Sequence, residues 1–145
     1  MQNRSVITVV LTILLFAVVP ASRSAQSKFL FEVEVPFEFV LAGRTLPTGK
    51  YSIERLDAGN PNIVILKNLD INLVQSILCQ RVEKEIPATA SSLIFKQREG
   101  KFYLAQVWTI GSQNGNQVPM GEKNRRNPPD SQSLIVEVKA RPNNQ

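Results

Sequence analysis

Between Phe29 and Phe39 the chain alternates without a slip: Phe29, Phe31, Val33, Val35, Phe37 and Phe39 fall on one parity, and Leu30, Glu32, Glu34, Pro36 and Glu38 on the other. Side chains that repeat every second residue share a face only in an extended strand, so this segment cannot gather its aromatics as a helix. Four of the six phenylalanines that follow residue 24 sit on that one face, which predicts that the strand supplies the centre of the core. Pro36 has no N–H to give a ladder and predicts an edge, a bulge or a break between two short strands.

The same reading extends along the chain. Lys50 to Leu56, Ile63 to Lys67, Ile71 to Val82, Ser92 to Arg98, Lys101 to Thr109 and Ser133 to Ala140 are rich in Val, Ile, Leu and aromatics and read as strands. Turn chemistry separates them: Leu46-Pro47-Thr48-Gly49 carries the type I signature, Asp57 to Asn62 and Asn68-Leu69-Asp70 follow, and Glu99-Gly100 predicts a tight hairpin. Leu-Pro-Thr-Gly is not a sortase signal here, since it lies mid-chain with no apolar tail and basic end after it. About seven strands with no intervening helices predict an all-β fold, a small antiparallel barrel or sandwich. The exception is 112–132, a polar stretch in which only Val118 and Met120 are apolar, which predicts a long loop peripheral to the sheet.

The first 24 residues read as an address. Arg4 and the amino terminus precede an apolar run from Val6 to Val19, Pro20 breaks it, and the small residues Ala21, Ser22, Ser24 and Ala25 follow. A bilayer core of about 30 Å needs about 20 apolar residues as a helix, so the run predicts a signal peptide in preference to an anchor. Ser22 and Ser24 satisfy the small-residue requirement of the peptidase better than Arg23 and Ala25, which places the cut after Ser24 and leaves 25–145 as a single β domain. Arg4 and Arg23 depart with the peptide, so 17 basic residues become 15 against 12 acidic ones, a mild net charge of +3. That balance is solubilising and calls for no nucleic acid.

The segments Phe31-x-Val33-x-Val35-Pro36-Phe37-x-Phe39, Leu46-Pro47-x-Gly49-x-Tyr51 and Phe102-Tyr103-Leu104-x-Gln106-x-Trp108 together resemble those of a group of small secreted bacterial β-proteins. The resemblance runs from about Phe29 to Gly111. It implies export, to the periplasm or the extracellular space, and a β fold, and it carries no catalytic residues.

The chain has no histidine, which removes Ser-His-Asp and Cys-His nucleophile systems and imidazole metal sites. One cysteine, Cys79, excludes an internal disulfide and a thiolate zinc cluster. Cys79 follows Ile77-Leu78 in a predicted strand, where it reads as a buried thiol before a nucleophile or interchain bridge. Glu32, Glu34 and Glu38 share the outward parity at a spacing that paired carboxylates use in glycoside hydrolysis, but alternating Glu is also how an aromatic strand keeps one face wet. Trp108 has the parity of Phe102, Leu104 and Gln106, which suits a core edge or one wall of an apolar pocket, with Tyr103 a neighbouring contact. Lys123, Arg125 and Arg126 suit either a solvated loop or a grip on an anionic partner. No phosphate loop, calcium loop or metal-ligand series occurs, so no cofactor is expected.

These features predict an exported, non-catalytic β domain that binds an envelope or extracellular partner. A barrel carrying an apolar ligand is the alternative, and a carboxylate hydrolase the remoter one.

Overall fold

The structure is a computed structural model that describes residues 26–56, 60, 62–121 and 133–141. The signal-peptide reading, Lys123, Arg125 and Arg126 therefore lie outside the described residues. In chain order the strands are β1 (Ser27–Val35), β2 (Phe39–Leu41), β3 (Arg44–Leu46), β4 (Gly49–Leu56), β5 (Ile63–Asn68) and β6 (Leu73–Leu78). They continue with β7 (Gln80–Glu83), β8 (Ser92–Arg98), β9 (Lys101–Trp108), β10 (Asn114–Gln117) and β11 (Leu134–Lys139).

The fold is all-β, and its strands form two sheets that do not close into a barrel. A four-stranded sheet runs β1-β4-β5-β6, and a seven-stranded one runs β11-β8-β9-β10-β7, with β2 also on β9 and β3 on β2. Pairing is antiparallel throughout except between β2 and β9. The arrangement is that of a sandwich. Phe31, Val33, Val35, Ile53, Val64 and Leu66 from the first sheet meet Phe39, Leu41, Leu93, Phe95, Leu104 and Val107 from the second in one core. Within it Phe39 sits edge-on to both Tyr51 and Phe95, and the half-buried Phe37 packs against it, stacking on Phe102 at 4.0 Å between ring centroids and meeting Phe95 edge-on at 5.1 Å. Of the alternation over Phe29 to Phe39, Phe31, Val33, Val35 and Phe39 thus enter the core.

Four expectations are corrected. The described residues hold eleven strands, more than the seven or so expected, because short strands such as β2, β3 and β10 carry too few residues to display a period. Ile71 to Val82 is two strands, broken at Cys79, where the chain passes from one sheet to the other. Asn114–Gln117, inside the segment expected to be a loop, is a strand between β7 and β9; its residues are polar because it pairs through backbone and packs mainly through Gly115. Phe29 is 51% exposed, because a bulge between Phe29 and Phe31 in the β1–β4 register turns it outward and lets Leu30 pack against the core instead. Pro36 resolves as a break: β1 ends at Val35 and β2 begins at Phe39.

The Leu-Pro-x-Gly-x-Tyr segment has a structural reason for each letter. The chain bends at Thr48 without closing a hydrogen-bonded turn. Leu46 enters the core, and the buried Tyr51 donates its hydroxyl to the Pro47 carbonyl at 2.6 Å. Gly49 has φ +141°, and a Cβ there would stand 2.5 Å from Asp70 Oδ2, the oxygen that accepts the Lys50 amide. Asp70 is held in turn by an Asn68 turn, in which Asn68 Oδ1 accepts the amides of Asp70 and Ile71. These bonds fix where the β2–β3 hairpin leaves the seven-stranded sheet and enters β4, and that hairpin walls the site described next.

Candidate functional site

β9 shares one of its edges between two partners. β2 pairs at Phe102 and Tyr103, and β10 pairs at Gln106 and Val107. The stretch between them, Leu104 and Ala105, has neither strand beside it; the Ala105 carbonyl is satisfied by the Val118 amide at 2.8 Å as the chain leaves β10. Ala105 is also the extra residue of a bulge, since Ile94 faces Gln106 while Phe95 faces Leu104. The gap and the bulge open a groove of about 590 Å³.

One wall of the groove is the β2–β3 hairpin, through Val40, Ala42, Gly43 and Thr45, and the other is the segment Val118 to Gly121. At one end Ile77 of β6, Leu104 and Val118 bring apolar side chains from the core edge to the groove. At the other, Lys96, Arg98 and Lys101 gather with Tyr103. The β8–β9 register explains that cluster: Arg98 pairs with Lys101 and Lys96 with Tyr103, so all four share one face, while Phe95, Gln97, Phe102 and Leu104 take the opposite one. The turn between them, Glu99-Gly100, has φ of 48° and 75°, the two left-handed residues of the tight hairpin that the sequence predicts. Among the described residues no Asp or Glu lines the groove. Ala42, at the tip of the other hairpin, also sits in the left-handed region at φ 50°, a strained conformation for a residue with a Cβ.

Of the residues singled out from sequence, Tyr103 lines the groove and Trp108 does not. The Ala105 bulge reverses the parity of β9, so Trp108 lies on the face opposite Leu104, outside the main core. It is nonetheless only 1% exposed. Its ring lies against Gly115, where a Cβ would come within 2.8 Å of three ring carbons. The Lys84 ammonium stands 3.9 Å from the ring centroid, and the indole N–H donates to Gln106 Oε1 at 2.9 Å. Trp108 is thus a packing and pinning residue for β10. Cys79 is buried, and burial pushes its thiol up to about 12, the reverse of an activated nucleophile.

Glu32, Glu34 and Glu38 are all exposed. The first two lie on the outer face of β1, with Glu34 ion-paired to Arg141, and they line a shallow hollow with Lys50. A further hollow of about 440 Å³ brings together Lys28, Arg55 and Arg81, but Arg81 donates to Asn114 and pairs with Glu83, so its charge is already met. Among the described residues no group of His, Cys, Asp and Glu is placed to hold a metal ion, and no helix is long and apolar enough to cross a membrane. Sequence reasoning missed Lys96, Arg98 and Lys101 as a set. Their common parity with Tyr103 across a two-residue hairpin was the signal that could have found them.

No family model, curated protein or solved structure matches this chain.

Proposed function

We infer that this chain is exported by its first 24 residues and that the remainder is a non-catalytic binding module of the cell envelope or its surroundings, taking its ligand in the groove beside Tyr103. The observation that carries the binding reading is the groove itself: about 590 Å³ of open space reaching core side chains in a sandwich whose interior is otherwise occupied by buried residues. That volume is in the range of small-molecule sites, about 300 to 1,000 Å³. The apolar-carrier alternative survives in altered form, since the space lies at a gap along one strand edge and not inside a barrel.

Export is tested by intact mass on protein recovered outside the cytoplasm after expression of the full chain. A species beginning at Ala25 is expected, and a dominant species retaining Met1 to Val19 contradicts the reading. Binding is tested with Nile red, an uncharged apolar dye whose fluorescence rises on leaving water. The wild-type protein is expected to bind it with saturation, and Thr45→Trp, which fills the groove from an exposed strand position, to abolish the signal without lowering the unfolding temperature. Equal binding by both proteins removes the groove as the site.

A further inference from the structure

Among the described residues five strands end the two sheets: β1 and β6 in the first, and β11, β7 and β3 in the second. All but one carry charge, with Lys28 and Glu32 on β1, Arg44 on β3, Arg81 on β7 and Lys139 on β11. Such charges keep an open edge from pairing with another chain. β6 is the exception, since Leu73-Val74-Gln75-Ser76-Ile77-Leu78 has neither a charge nor a proline. Leu73 and Ile77 pack against the core, while Val74 and Leu78 on the outer face are 55% and 58% exposed. The Cys79 amide donates to the Asn62 carbonyl at 2.8 Å, on the β5 side, so Leu73, Gln75 and Ile77 share that direction and bond β5. Val74, Ser76 and Leu78 therefore turn their N–H and C=O groups away from β5. Among the described residues the one partner those groups meet is the strand's own Gln75, whose Nε2 donates to the Ser76 carbonyl at 3.0 Å.

We propose that this edge is the pairing surface for a second copy of the chain: two β6 strands run antiparallel about a twofold axis at Ser76 and join the two four-stranded sheets into one. Only residues on the same face whose backbone groups point outward can sit opposite one another. Centring the pair on Ser76 is the register that uses all three, with Ser76 facing Ser76 of the second copy and Val74 facing its Leu78. Each such pair exchanges both backbone hydrogen bonds. The exposed Val74 and Leu78 then cover each other as cross-strand neighbours, and the serine hydroxyls meet at the axis. A twofold axis sets a strand against itself, which a charged strand resists by opposing like charges, and β6 has no charge to oppose. Of the cations beside it, Lys67, opposite Val74 on β5, is paired with Glu54 at 2.8 Å, and Arg44 donates to Gln75, whose parity is the inner one. Because the edge is used up in the pair, association stops at two chains. Two strands of six residues make a small interface, so a dissociation constant on the order of 10 µM is expected. The pairing needs no ligand and is independent of the groove.

Sedimentation equilibrium of protein made from the full chain reads the assembly for the wild type, Ser76→Lys, Ser76→Glu and Ser76→Pro. The wild type is expected to pass from one chain to two as its concentration rises through that constant. Each charged variant sets like charges face to face at the axis and is expected to weaken the pair at least about tenfold, whereas an equimolar mixture of the two sets Lys against Glu and is expected to return to within about threefold of the wild type. Ser76→Pro is expected to fold and to weaken the pair, since the amide it removes faces away from β5. Residue 76 is exposed, so circular dichroism and unfolding temperature, taken where the wild type is a single chain, are expected to match in all four proteins. A wild type that remains a single chain at about 200 µM overturns the proposal and leaves the edge to a strand of another protein. A dimer indifferent to charge at residue 76, or a mixture that fails to recover, places the contact elsewhere and overturns it as well, as does an assembly that grows beyond two chains. Loss of folding in Ser76→Pro alone shows that residue 76 bonds β5 and overturns the register.

Discussion

Gly115 and Trp108 show how much of this fold rests on the absence of one side chain. The Trp108 ring lies against the β10 backbone because Gly115 offers no Cβ, and it covers Gly115, the one buried residue of that polar strand. Gly115→Ala forces a methyl group to within 2.8 Å of a ring that Lys84 and Gln106 hold in place. The expected cost is about 1 to 3 kcal/mol from overpacking, read as a lower denaturant midpoint, together with loss of the blue-shifted emission of a buried tryptophan. A variant that matches the wild type in both respects would show that the ring does not need this contact. Cys79 sets a different limit. Its thiol, pushed from 9.0 up to about 12 by burial, keeps its proton in the folded state at a pH where the unfolded chain releases it. The corresponding stability is whole below pH 9 and is lost as pH climbs from 9 toward 12, at up to about 1.4 kcal/mol per pH unit. Tyr51 acts in the same direction, its phenol raised chiefly by burial and further by the Asp70 charge, against a lowering by Asn68. Stability measured at pH 7, 9 and 10.5 should therefore fall more steeply for the wild type than for Cys79→Ala; parallel declines would mean that the thiol is solvated.

At the scale of the element, the break between β1 and β2, where Phe37 and Glu38 lie, carries a test of register. Phe37 packs on Phe95 and Phe102, whereas Glu38, its neighbour, is exposed. Phe37→Asp is expected to cost on the order of 3 kcal/mol from the lost aromatic packing and the partly buried charge, and Glu38→Ala only about a few tenths. Equal denaturant midpoints would contradict the inward and outward register that continues from β1 across the break. That register was legible from sequence because the signal repeats over Phe31, Val33, Val35 and Phe39, four residues that all reach the core. The same was true of β4, β5, β8, β9 and β11, whose bounds fall within about two residues of those read from patterning. What could not be read depends on partners distant in sequence. The bulge at Ala105 exists because β9 must satisfy β8 on one edge and β2, Val118 and β10 in turn on the other. Alternation alone therefore put Trp108 on the wrong face. The polarity of Asn114 to Gln117 likewise hid a strand whose burial is supplied by another element's side chain. Of the site, Tyr103 was named from sequence, while the three cations beside it were passed over because scattered Lys and Arg in strands read as solvated until the pairing shows that they converge.

On the scale of the whole molecule, the structure separates a packed interior from an open edge. Aromatic contacts and the Tyr51–Pro47 bond lock the two sheets and the β2–β3 hairpin together, so the groove wall is held by the same residues that close the core. The strained Ala42 stands at the tip of that wall. The groove beside that wall is lined by Lys96, Arg98, Lys101 and Tyr103 toward the β8–β9 turn and by Ile77, Leu104 and Val118 toward the core. On the function proposed above, ligand binding is confined to this groove. Amide chemical-shift mapping of the isotope-labelled protein titrated with Nile red reads this out residue by residue. Saturable shifts are expected at residues 40–45, 96–105 and 118–121, with the Glu32 and Glu34 face of β1 unmoved; shifts centred on that face, shifts scattered without a focus, or no shifts at all would rule the groove out as the binding site.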